Sequence, residues 1–248
     1  MLNIKNNGHK IAVIRNLTNN KISKYLSVDP DTKDENGFNE IELDDNEIFE
    51  PTIDKSSQVL YICGARGSGK SRYAKIYAMN YAKRYRERRI YLFSQKNEDI
   101  ELDSVPRIKR IELNESIYEE PFDYTTFEDS LVIFDDIDKI PNKQMKNAIK
   151  QLMDEMIHLG RSYNISVLMT NHDLTEGSRT KTILSSSDSI TFFMHSGAKR
   201  QIEYLATNYG NITKQDLTEL KKNKSRWTTI YKNYPTIILT ERKAFIPE

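Results

Sequence analysis

Residues 58–78 read QVLYICGARGSGKSRYAKIYA: an apolar run breaks into three glycines within six residues, then resumes as a mixed apolar and polar stretch. Gly64-Ala65-Arg66-Gly67-Ser68-Gly69-Lys70-Ser71 fits G-x-x-x-x-G-K-[ST], a pattern whose glycines let backbone N–H groups wrap a chain of phosphates at close range. Lys70 then sets its ammonium on the outer phosphates and Ser71 offers its hydroxyl to magnesium. The helix beginning there turns its positive end toward the same anion. The ligand expected is ATP with Mg2+. The loop works only between a strand and a helix, so it predicts a strand over 58–63 and a helix to about Arg88.

The rest of the chain keeps that alternation, which predicts an α/β fold with a mostly parallel central sheet and helices on both faces. A strand starts at Ile90, and SLVIFDD from Ser130 is a continuous apolar run of the kind a buried parallel strand needs. Over 142–159, Met145, Ala148, Ile149, Leu152, Met153 and Met156 fall three and four residues apart, giving a helix with one apolar face and Gly160 as its cap. Strands follow from Asn164 and Ser189. Helices are expected near 198–209 and 214–223, the second capped by Thr213 with Asp216, and RWTTIYKNYPTIILT closes as a hairpin. Residues 1–57 form an N-terminal extension with short strands and an acidic segment, and 58–248 form the ATPase domain.

At 248 residues, 38% apolar, the chain supports one core. The single cysteine, Cys63, falls in an apolar strand, where a small buried residue is the simpler reading than a reactive thiol; no internal disulfide forms, which fits a reducing compartment. No apolar stretch is long enough to cross a membrane, so a soluble protein is expected. The net charge of +1 conceals eleven acidic residues against one lysine over 29–54, leaving 36 basic and 25 acidic groups elsewhere. That balance is compatible with a polyanionic partner. The basic runs at 82–89 and 221–226 are either solvated faces or polyanion contacts, and Trp227 beside the second run is either buried or a stacking surface. Four scattered histidines and one cysteine match no zinc spacing.

Asp135 and Asp136 end the apolar strand. In a parallel sheet ligands bind at the carboxyl ends of the strands, so both acids emerge beside the glycine loop. Asp135 is placed to hold magnesium and Asp136 to orient or deprotonate the attacking water. Asp138 reads as a helix cap. Downstream, Arg161 follows the methionine helix, and the next strand delivers Thr170 and Asn171 at its tip. An amide there can hydrogen-bond the water or the terminal phosphate, and an arginine at the sheet rim can reach a nucleotide on an adjacent subunit. The alternative for Arg161 is a charge on the helix dipole.

GARGSGKS, LVIFDD and GRSYNISVLMTN stand in the order and at the intervals of the FtsK/HerA superfamily of P-loop ATPases, and most resemble its viral genome-packaging branch, the poxvirus-type packaging ATPases of nucleocytoplasmic large DNA viruses. The resemblance covers about residues 58–195. It implies a RecA-like P-loop NTPase fold of the ASCE class and an ATPase that translocates viral double-stranded DNA into a capsid. A homo-oligomeric ring of five or six subunits, contacts with capsid or other virion proteins, and a location in the virion and the host cytoplasm follow from it. It assigns Arg161 as an arginine finger acting in trans and Asn171 as the sensor, a role His172 could share. Two positions depart from the cellular pattern: Asp136 stands in place of glutamate and Asn171 in place of glutamine. A plasmid, conjugative or cellular translocase of the same superfamily is the second reading, and a monomeric P-loop kinase or regulator the third.

Overall fold

The structure, a computed structural model, describes residues 1–5, 8–29, 38–52, 55, 57–172, 177–196 and 199–247. Parts of the acidic segment, residues 30–37 and 53–54, lie outside the described residues. The chain divides into two compact units, Ser56–Ser187 and Met1–Lys55 with Asp188–Glu248. No described helix is long and apolar enough to cross a membrane.

The unit that contains the chain ends opens with β1 (Leu2–Asn3), β2 (His9–Asn16), β3 (Ile22–Val28), β4 (Glu40–Glu42) and β5 (Glu47–Pro51). Four of these form an antiparallel sheet in the order β1-β3-β2-β5.

The P-loop unit follows in the chain: β6 (Val59–Cys63), α1 (Lys70–Arg84), β7 (Arg89–Ser94), β8 (Ile108–Ile111), α2 (Ser116–Glu119), β9 (Ser130–Asp135), α3 (Lys143–Leu159), β10 (Ser166–Asn171) and α4 (Gly177–Ser186). Its strands run parallel in the order β6-β10-β9-β7-β8. One strand, β10, thus stands between the P-loop strand and the strand that ends in two acids. Every residue of β6, β9 and β10 is buried, which is why each reads as an unbroken apolar run. On α1, Tyr73, Ala74, Tyr77, Ala78 and Tyr81 recur at helical spacing and are buried against the sheet. The α3 stripe of Met145, Ile149, Leu152, Met153 and Met156 does the same, so these methionines are core.

Two local expectations change, the end of α1 and the cap at Asp138, and a third, the cap at Gly160, holds with a different geometry. Helix α1 ends at Arg84, four residues early, because the Arg107 guanidinium donates to the free carbonyls of Ala82 and Tyr85. Arg88 instead lies over the Tyr85 ring at 4.2 Å and pairs with Asp129 at 2.9 Å. Gly160 is the C-cap of α3, as expected, its N–H donating to Met156 O, but in right-handed geometry; the left-handed residue is Asn164, φ 53°, after a further short helical turn. A Cβ at 160 would lie 3.1 Å from Ile165 Cβ, a tight contact that obliges Ile165 to give by a few tenths of an ångström. Asp138 is not a cap; Asn142 caps α3 by accepting from the N–H groups of Gln144 and Met145.

The remainder of the unit that contains the chain ends comprises β11 (Ser189–Phe192), α5 (Lys199–Tyr209), α6 (Lys214–Lys222), β12 (Thr228–Tyr231), β13 (Ile237–Thr240) and β14 (Lys243–Phe245). The expected capping box on α6 is present: Thr213 and Asp216 exchange side-chain to backbone bonds. The expected closing hairpin is β12 with β13, extended by β14 and then by β4, all antiparallel. Through that last pairing residues 188–248 cluster with the N-terminal strands. Trp227 is buried, while Lys221, Lys222, Lys224 and Arg226 are exposed. Gly210, after α5, is closely packed: a Cβ would meet Ile230 Cδ1 at 2.5 Å and Ala206 O at 2.6 Å. Gly210→Ala is therefore expected to destabilise by about 1–3 kcal/mol, read as a lowered denaturant midpoint; an unchanged midpoint would show that the α5 terminus gives way freely.

Candidate functional site

Register builds the site. In the parallel pairs Asn171 lies opposite Cys63 and Thr170 opposite Asp135, so the residues following β6, β9 and β10 emerge at one level. Two backbone bonds tie those exits together: Gly64 N donates to Asn171 O at 3.1 Å and Asp136 N to Thr170 O at 3.2 Å. The sequence-predicted Gly64–Ser71, Asp135, Asp136 and Asn171 are thereby brought to one edge of the sheet.

Gly67 and Gly69 take φ of 78° and 110°, which side chains disfavour. This lets the loop turn into α1 with Gly69 at its N-cap and no side-chain cap on the first N–H groups, leaving them available to an anion. Ala65, Arg66 and Gly67 are exposed, and Ser71 is half-buried. Ser68 Oγ is buried with no partner. Lys70 is buried; its Nζ donates to Gly64 O at 2.8 Å and meets His172 Nδ1 at 3.0 Å. Burial lowers its pKa, opposed by the charges of Asp136 and Asp135. Cys63, at the end of β6, is fully buried and burial pushes its thiol up, which makes it a packing residue rather than a nucleophile.

Asp135 is almost fully buried, and three groups hold it. Thr170 Oγ1 donates to Oδ1 at 2.6 Å; Ser94 Oγ at 3.0 Å and Lys96 Nζ at 3.2 Å reach Oδ2. Lys96 also pairs with Asp99 at 3.0 Å; burial works against its charge, but Asp135 and Asp99 win and its pKa is raised. Asp136 lies one residue beyond β9 at φ 50°. Its Oδ2 is 2.9 Å from His172 Nε2, and its Oδ1 is buried with no partner among the described residues. Burial and the neighbouring Asp135 carboxylate raise its pKa. Asn171 Nδ2 donates to Asp138 Oδ2 at 3.0 Å, and Asp138 in turn pairs with Lys150 of α3.

Arg161 does not join this edge. It lies in the short turn Gly160–Tyr163, ahead of β10, where Asp129 N donates to Tyr163 O. That is the opposite end of the strands, about 20 Å away for a six-residue strand. Its side chain is exposed and makes no ion pair or hydrogen bond among the described residues. The residues missed from sequence are Ser94 and Lys96 around Asp135, together with the role of Thr170, which was placed at the strand tip without its bond to Asp135. Their signal was a polar residue at the carboxyl end of a buried strand, in LFSQK and LMTNH.

Comparison with known proteins adds independent findings. The AAA domain profile matches residues 56–185. The chain is 33% identical over 199 residues to uncharacterized protein V3 of Sputnik virophage, spanning 75% of this chain and 76% of that protein. In fold it resembles B204, the DNA-packaging ATPase of Sulfolobus turreted icosahedral virus, with a TM-score of 0.53 at 15% identity over 76% of this chain and 98% of that one. It also resembles the cytoplasmic domain of the type VII secretion ATPase EccC of Thermomonospora curvata, with a TM-score of 0.53 at 13% identity over 87% of this chain and 30% of that one.

Proposed function

The chain belongs to the AAA domain family, and we propose that this ATPase is a motor that moves viral double-stranded DNA into a capsid as a ring of five or six identical subunits. One observation carries the reading. The phosphate loop, two acids and an anchored amide share one sheet edge, while an exposed arginine, without an ion pair or hydrogen bond among the described residues, stands at the other end of the same unit, too far from that edge to serve it. The packaging role named for B204, a protein of this fold, and a relative from a virophage support the viral setting. The sites of action are then the virion and the host cytoplasm where capsids assemble, with capsid or other virion proteins as partners.

In this mechanism the loop N–H groups and Lys70 grip the β and γ phosphates of ATP. Ser71, at the start of α1, and Asp135, at the end of β9, present a hydroxyl and a carboxylate, both hard oxygen donors; that donor chemistry fits Mg2+. Ser71 and Asp135 would hold the ion, which supplies charge neutralisation at the phosphoryl oxygens. Asp136 accepts the proton of the attacking water, helped by a pKa already raised by burial. Asn171 gives one amide proton to Asp138 and keeps the second for the water or the terminal phosphate. Arg161 of one subunit completes the pocket of the next.

Hydrolysis would then work on DNA held through its phosphates. Exposed Lys83, Arg84, Arg86 and Arg89, and the basic residues after α6, are the candidate contacts. Such binding is sequence-independent and weakens steeply with salt. Long double-stranded DNA is expected to stimulate ATP turnover several-fold at low salt, with the stimulation fading across a salt series. A turnover rate indifferent to DNA at every salt concentration would overturn the motor reading and favour a P-loop kinase or regulator.

A further inference from the structure

The side chain of His172 touches two members of the site at once. An ammonium has three protons to give and nothing to accept with. Those of Lys70 are directed to Gly64 O at 2.8 Å, to Ala65 O at 3.4 Å and to His172 Nδ1 at 3.0 Å. Because Lys70 only donates, Nδ1 must be the acceptor, which places the ring proton on Nε2. Nε2 therefore donates to Asp136 Oδ2, 2.9 Å away. The neutral ring is held in one tautomer between the lysine that grips the outer phosphates and the carboxylate that takes the proton from water. Its backbone is fixed as well, His172 N donating to Asn171 Oδ1 at 3.1 Å.

We propose that His172 competes with the triphosphate for Lys70 and, through its other nitrogen, positions Asp136. The proposal rests on the reading of Lys70 as a ligand of the triphosphate. A phosphate oxygen is a charged acceptor and takes the ammonium from a neutral ring nitrogen, but the surrendered contact weakens nucleotide binding relative to an unoccupied lysine. The N–H on the far side of the ring stays on Asp136 throughout and keeps its carboxylate turned. One residue thus opposes binding and supports turnover.

That opposition gives a test in which affinity and rate move in different directions. His172→Ala is expected to bind a non-hydrolysable ATP analogue about three- to tenfold more tightly, measured by calorimetry, while kcat falls about tenfold. His172→Gln carries an amide N–H near the position of Nε2 and is expected to recover turnover relative to His172→Ala without losing the tighter binding. His172→Asn carries an amide oxygen near Nδ1 and is expected to return affinity toward the wild-type value without recovering turnover. Binding and kcat that fall together in His172→Ala, or that both stay unchanged, overturn the proposal. Lys70→Ala serves as the reference: if it binds the analogue as well as wild type, the P-loop reading itself fails, and this proposal with it.

Discussion

Arg161→Ala is expected to slow ATP turnover by about 10³ to 10⁵-fold, the worth of an arginine that neutralises charge in phosphoryl transfer, while nucleotide binding stays intact. The size of the effect follows from where the residue stands. Arg161 is exposed and without a partner among the described residues at the amino end of β10, and the P-loop of its own subunit lies beyond the carboxyl end, out of reach of an arginine side chain. If it touches a triphosphate, that triphosphate belongs to a neighbour. Mixing therefore separates the roles: a Lys70→Ala subunit supplies an arginine but no working pocket, and an Arg161→Ala subunit supplies the pocket but no arginine. Where the two meet in the right order a whole site forms, at roughly a quarter of the interfaces in an even mixture of a closed ring. Two inactive proteins should thus give an active mixture. Were Arg161 only a charge placed on the dipole at the end of α3, its loss would cost about 0.3–1 kcal/mol of stability and leave the rate alone. Undiminished turnover in Arg161→Ala, or a mixture that stays inactive, would remove the trans finger.

What could be read from the chain, and what could not, divides along burial and sequence distance. Strands β6, β9 and β10 announce themselves because both faces are covered, and the acids and the amide follow from where those strands end. Strands β3 and β8 carry no such signal, being partly solvated with mixed burial. The P-loop could be read because its function is local: eight consecutive residues make the cradle. The supports of Asp135 could not, since Ser94 ends β7 and Lys96 follows it, about forty residues earlier in the chain, and only the pairing of β7 with β9 brings them there. The contact between Lys70 and His172 spans 102 residues. Asp138 was misread for a related reason. Its place just before a helix looked like a cap, whereas its partners, Asn171 and Lys150, come from β10 and α3. Local chemistry is written in spacing, and the rest depends on strand order, which no short window of sequence records.

Asp136→Asn should separate hydrolysis from binding. Asparagine matches the size of aspartate and tolerates a left-handed backbone, so φ 50° at this position poses no new strain. The amide oxygen still accepts from His172 Nε2, and Asp135, Lys70 and the loop are untouched. What disappears is the capacity to take a proton. A general base is worth about 10² to 10⁴ in rate, and kcat for phosphate release is expected to fall by that factor while a non-hydrolysable ATP analogue binds as tightly as before, or more so once a buried negative charge near the phosphates is gone. Asp135→Asn differs in kind: its carboxylate is the proposed holder of magnesium, so there the magnesium concentration required for half-maximal turnover rises. If Asp136→Asn turned over at the wild-type rate while Asp135→Asn did not, the proton would have to leave by another route, and the unpartnered Oδ1 of Asp136 would be an orphan of the fold rather than the acceptor of the reaction.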